Sequence, residues 1–500
     1  MRPTHPRHPG HLLGSMAALA LWLCATSGAG SVAIPALEVT GRVQEPGIPP
    51  RTAADTYEKV YTLMRNSGAL ESITDEEWAR MDATHRPRAL AAGTNRELRA
   101  VLEEMIGSLG KSHFSLIPQE ASAEYLLEEE PRSAEDTEEI EDPGNIVVPR
   151  EDATEEAVET SDGPGEGRVG LHARLVEGQV LVTRVDPDSP AERAGIRPGW
   201  RLNSIRRLDL SRLTDRYRDQ DVASMSGYQA NATVNSLLTA EPGTAIPLEL
   251  VDLEGEVVRH EVEAVPFAGE AVRFGNLGSM EVETQVELLD EGDLAAMGID
   301  IGRPIRVGLI RFNTWMVPIM APIAGAVERF RNEGVDAVVI DLRGNPGGIG
   351  GLAMGVGGHF LAEPTNLGTM RNQYGELNFN TNPQTVSASG APVTPLEVPV
   401  FVLVDAMSAS TSEIFAGGMK EAGRATIVGR RTPGMALPAV AIDLPNGDVF
   451  YYAIASFTLP GGGVIEGAGV TPEVDVQLST EAFGRSTDPD LAAAIGTLEE

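Results

Sequence analysis

Three serines lie close together at a predicted turn between a strand and a helix. Ser408, Ser410 and Ser412 follow the apolar run 398–404, which predicts a buried strand, and precede the apolar run 414–419, which predicts a helix. A serine at such a turn lies at the edge of a sheet and near a helix N-terminus, whose partial positive charge stabilises an oxyanion. A helix N-cap needs the same residue at the same place, so catalysis and capping both stay open on local grounds.

A second turn carries glycines directly after another predicted buried strand, 337–340. The run 341–348 reads Asp-Leu-Arg-Gly-Asn-Pro-Gly-Gly. Glycines allow backbone N–H groups to approach a ligand without a Cβ atom in the way. The run lacks the Gly-Lys-Ser/Thr ending of a phosphate-binding loop, so it does not predict a nucleotide site.

Together the two turns resemble the core of the tail-specific, or C-terminal-processing, protease family. The motifs are D-L-R-x-N-x-G-G at 341–348, S-A-S-x-S-E-I-F-A at 408–416 and G-R-A-x-I-V-G at 423–429. The resemblance implies that Ser410 is a nucleophile and that the N–H groups of Gly348 and Thr411 form an oxyanion hole. It also implies that the core folds as a crotonase-like spiral of strands and helices.

The position of the base departs from the best-known branch of that family, which pairs its serine with a lysine. The lysine position is Met435 here, and the position of its glutamine partner is Ala439. A thioether is not a useful proton acceptor. The enzyme is therefore either inactive or activates Ser410 with another residue.

A second branch, which includes the tricorn core protease, uses a Ser-His-Ser-Glu arrangement. Its motifs resemble the runs L-G-K-S-H at 109–113 and G-V-I-E-G-A-G-V-T-P-E at 463–473. The resemblance implies that His113 is the base and that Glu466 orients it through the Ser112 hydroxyl. His359 is the next histidine to consider if His113 is not the base.

A smaller module precedes the core. The run V-x-P-x-S-P-A-x-x-A-G-I-x-P-G at 185–199 resembles a PDZ domain, and residues 167–268 are rich in short strands and turn signals. In PDZ domains, a loop like Val169-Gly170-Leu171 holds a C-terminal carboxylate with backbone N–H groups, beside an exposed strand edge. The same loop could also be a plain entry to a strand.

The remaining pattern divides the chain into further segments. We predict a helical segment at 50–119, an α/β protease core at 269–485 in which strands alternate with helices, and a C-terminal tail at 486–500. Within the core, the Pro445-Asn446-Gly447 run predicts a β-hairpin. Residues 120–166 hold eighteen acidic and two basic residues, so they predict a disordered acidic linker.

The amino-acid composition limits the classes of partner that the protein is expected to bind. A net charge of -34 argues against nucleic acid and anionic membranes. Residues 1–33 predict a signal peptide, with Arg2 and Arg7 ahead of an apolar stretch and a small-x-small site at 31–33. The single cysteine lies inside this segment, so neither disulfides nor thiol catalysis are expected after its removal.

We therefore expect a multidomain α/β serine endopeptidase, exported to the periplasm or secreted, that acts on unfolded or C-terminal polypeptide segments. No histidine, cysteine or carboxylate spacing suggests a metal, and no cofactor is predicted. Two alternatives remain: a catalytically silent PDZ-containing peptide-binding scaffold, and a hydrolase of non-peptide substrates built on the same core.

Overall fold

The computed structural model describes residues 47–118, 167–218, 221–272 and 280–498. The predicted signal peptide and acidic linker lie outside these ranges. Helices and several sheets alternate along the described chain, which gives a mixed α/β fold as the sequence predicted. Among the described residues, no helix has both the length and the apolar character needed to cross a bilayer.

The N-terminal unit is a small helical bundle that ends in one strand. Its elements are α1 (Pro50–Arg65), α2 (Asp75–Leu90), α3 (Asn95–Gly107) and β1 (Phe114–Ile117). The side chains of Thr74 and Thr94 accept hydrogen bonds from backbone N–H groups in the first turns of α2 and α3, which fixes where these helices begin.

His85 on α2 is a buried polar residue of the bundle, and its Nδ1 lies 2.8 Å from the Met81 carbonyl oxygen. Helix α2 packs against both α1 and α3, so its buried face is wider than a single apolar stripe.

The second unit is rich in short antiparallel strands. Its elements are β2 (Gly167–Arg168), β3 (Leu171–Val176), β4 (Gln179–Val185), α4 (Pro190–Arg193), β5 (Arg201–Ile205), β6 (Leu208–Asp209), α5 (Ser211–Tyr217), α6 (Met225–Ser236), β7 (Thr239–Ala240), β8 (Ala245–Val251), β9 (Val257–Glu263) and β10 (Val265–Pro266). One sheet has the order β3-β4-β5-β8-β9 with β6 beside β5, and a smaller one has the order β10-β2-β7.

The third unit is the largest and contains both glycine- and serine-bearing turns. Its elements are β11 (Glu270–Val272), β12 (Met280–Val282), β13 (Thr284–Leu289), α7 (Glu291–Ala296), β14 (Val307–Phe312), a 3₁₀ turn (Val317–Ile319), α8 (Met320–Glu333), β15 (Ala337–Asp341), α9 (Leu352–Gly357), β16 (Asn366–Asn372), β17 (Gly375–Asn380), β18 (Val400–Val404), α10 (Thr411–Glu421), β19 (Thr426–Gly429), β20 (Ala439–Asp443), β21 (Val449–Ala453), β22 (Ser456–Thr458), β23 (Val474–Asp475), α11 (Thr480–Arg485) and α12 (Pro489–Gly496).

A central six-stranded sheet organises this unit, with the order β13-β14-β15-β18-β19-β23. All pairs are parallel except β13 with β14. Strands β15 and β18 are buried along their whole length, as expected for parallel strands covered on both faces. Because they are parallel neighbours, the turns that follow them meet at the same edge of the sheet.

The predicted β-hairpin is present and joins the N-terminal unit to the third unit. Strands β20 and β21 pair antiparallel around Asn446 and Gly447, and Gly447 has a φ of 87° that favours glycine. Strand β1 continues this sheet, with Phe114 opposite Tyr452. Strand β1, the last element of the N-terminal unit, is therefore held in place by residues more than 300 positions further along the chain.

The C-terminal residues are not a separate tail. Helix α12 buries Leu491, Ala494 and Ile495 against the central sheet. Just before it, Asp488 accepts a hydrogen bond from Arg343 at 2.8 Å. The prediction of a tail at 486–500 was wrong because this helix is only eight residues long, and its apolar face is too short to stand out in the sequence.

Candidate active site

Ser410 is the only residue from 400 to 419 that is not buried. It joins β18 to α10 with a φ of 55° and a ψ of -119°, a backbone conformation that non-glycine residues rarely adopt. Strain of this kind persists only where the surrounding structure enforces it, and it is concentrated at functional sites. The turn thus presents one serine to the surface from an otherwise buried segment.

The glycine turn after β15 lies directly against Ser410. A Cβ atom at Gly347 would be 2.6 Å from the Ser410 Cβ, and one at Gly348 would be 2.3 Å from the Trp315 carbonyl oxygen. Both glycines also have positive φ values, of 104° and 143°. Only glycine therefore allows the backbone to approach the serine turn at 347 and the Trp315 backbone at 348 so closely.

Two backbone N–H groups beside Ser410 are left without acceptors. Within the described ranges, neither the Gly348 N–H nor the Thr411 N–H donates to another group, although their neighbours do. The two residues are also linked, because the Thr411 hydroxyl donates to the Gly348 carbonyl oxygen at 2.9 Å. These are the two N–H groups that the family resemblance assigned to an oxyanion hole.

The other residues of the glycine-turn motif hold the turn in position. Asn345 donates through Nδ2 to the Phe312 carbonyl oxygen at 2.9 Å and accepts from the Gly347 N–H at 3.0 Å. Arg343 and Arg311 both bond to the buried Asp341 carboxylate, and their charges hold the pKa of Asp341 well below its usual range against the opposing effect of burial. The motif thus provides structural support for the turn.

Glu413, on the first turn of α10, supports Ser410 in a way that the sequence analysis missed. Its buried carboxylate accepts hydrogen bonds from the Ser410 N–H at 3.1 Å, the Gly434 N–H at 2.8 Å and the Met435 N–H at 2.7 Å. It also accepts from the Thr432 hydroxyl at 2.6 Å. The Ser-x-x-Glu spacing of a capping box was the available signal for this role.

Ser112, His113 and Glu466 are brought together at the junction of the N-terminal and third units. The Ser112 hydroxyl lies 2.6 Å from His113 Nδ1 and 2.9 Å from Glu466 Oε2. Glu466 Oε1 also accepts from the Ser112 N–H at 2.8 Å. His113 is buried, has a φ of 59°, and packs beside the Tyr451 ring with centroids 5.8 Å apart.

This arrangement determines the tautomer of the histidine. Because the Ser112 hydroxyl donates its only hydrogen to the Glu466 carboxylate, its oxygen must accept from Nδ1–H of His113. The neutral imidazole then has an unprotonated Nε2, which can accept a proton. Burial lowers the pKa of His113 to about 4, so the ring is neutral at pH 7. Burial also raises the pKa of Glu466, while its hydrogen bonds from Ser112 and Ala436 oppose that rise.

One dipeptide connects the serine turn to the histidine group. The Ser410 N–H donates to the Met435 carbonyl oxygen at 2.7 Å, and the next residue, Ala436, donates its N–H to Glu466 Oε2 at 3.3 Å. Among the described residues, no hydrogen bond joins the Ser410 hydroxyl to the His113 imidazole. Such bonds are often long before substrate binds, so the geometry leaves His113 available as the base.

Met435 occupies the position where the better-known branch has lysine. Its side chain is buried in an apolar cluster with Tyr228 and Ala232 of α6 and with Met407 and Ala409 of the serine turn. This cluster contains no proton acceptor. It also means that the second unit packs directly against the turn that carries Ser410.

The Val169-Gly170-Leu171 loop opens into a pocket between the second and third units. The pocket has a volume of about 270 Å³ and is also lined by Gly344 and Met407 of the third unit. The loop therefore lies close to the turns of the candidate active site, which the sequence did not indicate.

The adjoining edge of β3 is not exposed, contrary to the prediction. The Ala173 N–H and carbonyl oxygen both bond to the Asn235 side chain of α6, at 3.1 and 2.8 Å, and the Leu175 N–H donates to Asn231 Oδ1 at 2.7 Å. Two asparagine side chains thus occupy the groups that an added peptide strand would use.

The structure separates His359 from the residues described above. It lies after α9 and lines a different pocket, bounded by α8 and the loop 384–393. In the described part of the chain, no group of three or more histidine, cysteine or carboxylate residues is placed to hold a metal ion.

Comparison with known proteins shows what the segment that contains these turns is similar to. Residues 306–476 match the model of Peptidase family S41. The carboxyl-terminal-processing protease of Synechocystis sp. is 26% identical over 302 residues, which are 60% of this chain and 60% of that protein. The carboxyl-terminal-processing protease of Picosynechococcus sp. is 30% identical over 198 residues, which are 39% of this chain and 46% of that protein. The match thus spans less than two thirds of each relative.

Two solved structures share the fold. The photosystem II D1 C-terminal processing protease has a TM-score of 0.51 at 18% identity, over 90% of this chain and 98% of that one. Mature CPAF complexed with lactacystin has a TM-score of 0.52 at 14% identity, over 90% of this chain and 99% of that one. These likenesses concern the mixed α/β architecture alone, and the segment that is similar to Peptidase family S41 is 306–476, which contains both turns.

Proposed function

We propose that this protein is a serine endopeptidase in which Ser410 is the nucleophile, His113 is the base, and Glu466 orients His113 through Ser112. The observation that carries the proposal is the hydrogen-bonded group of Ser112, His113 and Glu466, connected by residues 435–436 to the strained Ser410 turn. This group would supply a neutral base in a chain that has Met435 at the lysine position of the better-known branch.

In the proposed reaction, Ser410 Oγ attacks the scissile carbonyl carbon while His113 Nε2 takes the hydroxyl proton. The Gly348 and Thr411 N–H groups bind the developing oxyanion. His113 then donates the proton to the leaving amine as the C–N bond breaks, which leaves an acyl-enzyme. Water, activated by the same histidine, hydrolyses the ester and regenerates Ser410.

The direct test is Ser410→Ala, assayed with an unfolded protein substrate. We expect cleavage to fall by a factor on the order of 10⁴ or more with no change in folding, because the nucleophile is lost and the backbone contacts of the turn remain. An inert wild type would favour the silent scaffold, and full activity of Ser410→Ala would remove the serine from the mechanism.

Ser408→Ala and Ser412→Ala are matched controls on the same turn. The Ser408 hydroxyl donates to the Leu342 carbonyl oxygen at 2.8 Å, and Ser412 Oγ accepts from Trp315 Nε1 at 2.9 Å. Both serines are fully buried, so we expect each substitution to lower the free energy of unfolding by about 1–3 kcal/mol. The folded fraction should keep its cleavage activity.

We further propose that residues 167–268 are a PDZ-type module that presents polypeptide substrates to the site. Support comes from the position of the Val169-Gly170-Leu171 loop at the pocket shared with Gly344 and Met407. A substrate whose terminal carboxylate reached this loop would lie beside the turn that carries Ser410. Pairing along β3 would additionally require Asn231 and Asn235 to move.

Two proposals rest on sequence resemblance and pattern. One is a crotonase-like spiral for the core at 269–485. The other is export to the periplasm or the exterior, based on the predicted signal peptide at 1–33; a reporter fused after residue 33 would test it.

A further inference from the structure

A second pocket lies on α8, apart from the serine and histidine turns. It has a volume of about 350 Å³, within the range typical of small-ligand sites. Helix α8 forms one wall and the loop 384–393 forms the other. The loop is fastened to the helix by Glu328, whose carboxylate accepts a hydrogen bond from the Ser389 N–H at 3.0 Å.

Arg331 lines this pocket. Within the described ranges, its guanidinium makes no hydrogen bond and no ion pair, and its Nε is buried without an acceptor. The hydrogen bonds from Ser389, and to a smaller extent the charge of Arg331, lower the pKa of the neighbouring Glu328, whose carboxylate bonds to Ser389 and not to Arg331. Native structures seldom leave a buried donor unpaired, least of all a charged one. The unpaired Nε therefore indicates a missing acceptor in the pocket.

His359 lines the same pocket and is 8% exposed. Its ring nitrogens have no hydrogen-bond partner in the described part of the chain. Burial, and then the charge of Arg331, lower the pKa of His359 to about 4, so the ring is neutral at pH 7. It can therefore donate or accept one hydrogen bond without adding a second positive charge.

The remaining wall is largely apolar, with Met320, Val327, Val386 and Val393 around the two basic groups. Val386 is 56% exposed, although it is a large apolar residue. A fixed cation and a neutral imidazole beside such a wall suit an anion that carries an aliphatic chain.

We propose that this pocket binds a carboxylate with a short aliphatic body, through Arg331 as counter-ion and His359 as a neutral hydrogen-bond partner. The inference does not rest on the peptidase proposal. The same chemistry could come from a free branched-chain acid or from the apolar C-terminal residue of a peptide.

The test is calorimetric titration of the full chain at pH 7 with two acids and their neutral amides. The free-acid arm uses 4-methylpentanoate and 4-methylpentanamide, and the peptide arm uses N-acetyl-leucine and N-acetyl-leucinamide. We expect the acids to bind and the amides not to bind, and the stronger acid identifies the source. Absence of binding by both acids would mean that the pocket holds only water, which overturns the proposal.

Arg331→Met should weaken acid binding at least about tenfold, because it keeps the length of the side chain and removes the charge. Arg329→Gln is the control, since Arg329 is exposed on the same helix, and it should bind like the wild type. Equal binding by Arg331→Met and the wild type would refute the site. If Arg331→Met does not fold, Arg331→Lys keeps the charge and loses the planar fork, so we expect weaker binding of N-acetyl-leucine than in the wild type; an undiminished affinity would refute the site.

Discussion

Ser410 and His113 have nearly the same left-handed φ, 55° and 59°, yet the chain holds them in different ways. Ser410 lies between β18, a strand of the buried central sheet, and α10, a helix that covers this sheet. His113 lies just before β1, which pairs with β21 of another unit. The position of the nucleophile thus depends on the packing within the third unit, whereas that of the base depends on docking between units.

The docking surface is a mixed apolar cluster. Side chains from α1, α3 and β1 pack with Leu437, Leu444 and Phe450 of the third unit. A change in this surface should therefore displace the base and leave the nucleophile in place. The two halves of the proposed site can be perturbed separately.

The largest effect is expected from His113→Ala. Removal of the base should lower kcat by about 10⁴–10⁶-fold, because the proposed proton acceptor for the Ser410 hydroxyl is lost. The comparison of single-turnover rates for wild type and variant measures this loss. Near-normal turnover would show that the base lies elsewhere.

The substitution Glu466→Gln should have a milder effect than His113→Ala. It keeps an oxygen that can accept from Ser112 but removes the negative charge that stabilises protonated His113. We expect a smaller fall in kcat than for His113→Ala.

Met435→Lys should not raise the rate above that of the wild type, since the side chain at this position lies in an apolar cluster.

The docking of the base should be weakened by Arg99→Met. Arg99 of α3 bonds to the buried Asp448 carboxylate at 2.6 Å, and the substitution removes this buried ion pair. We expect the free energy of unfolding to fall by about 3–5 kcal/mol. Amide exchange in β1 and β21 should rise more than exchange in β18.

Arg88→Met is the matched control, because Arg88 and Glu104 form an exposed pair on the same bundle. We expect this change to alter the free energy of unfolding by about 0–1 kcal/mol. Equal effects of the two substitutions would show that the docking surface does not depend on the buried pair.

The pH dependence of the rate should reflect the buried histidine. Because burial lowers the pKa of His113 to about 4, the base stays neutral well below the ordinary value of 6.5. We expect kcat/KM to be maintained from pH 7 to about pH 5 and to fall near pH 4. A fall centred near pH 6.5 in a pH–rate profile would contradict this environment for His113.

Stability measurements should distinguish His113 from Glu413, because the two residues change the free energy of unfolding in opposite directions as the pH rises. His113 stabilises the fold above pH 6.5, and this contribution is lost as the pH falls towards about 4. Burial raises the pKa of Glu413 from 4.5 to about 7, so its contribution is present below pH 4.5 and is lost as the pH rises towards 7. Glu413→Gln should remove the pH dependence of stability that is due to Glu413 and leave that due to His113 unchanged.

The smallest effect concerns substrate capture. Asn235→Ala frees both backbone groups of Ala173, so we expect a few-fold tighter binding of a peptide with a free C-terminus, measured by fluorescence anisotropy. Amidation of the peptide should weaken binding to wild type and variant alike. Identical affinities for free and amidated peptides would remove the proposed role of the Val169-Gly170-Leu171 loop.

The comparison also shows how far the sequence can predict such a site. Strand β15 begins at residue 337 as predicted, and it and the Asn446-Gly447 turn could be predicted because both features have strong local patterns. The proximity of Ser112, His113 and Glu466 could be inferred only through family resemblance, since no local pattern connects such distant positions. The roles of Asn231 and Asn235 could not be predicted, because an asparagine in a helix gives no sign of which strand it will contact.

The contact between the N-terminal and third units, which positions His113, also determines the stage of folding at which the proposed site can form. Ser112 and Glu466 are 354 positions apart, so their hydrogen bonds close almost the longest loop that the described chain contains. Contacts of such high sequence separation form late and slowly in folding. A growing chain exposes His113 long before Glu466 has been synthesised, and its imidazole then lacks the partners that fix its tautomer. The proposed peptidase would therefore stay silent until the segment that carries Glu466 is made and folded.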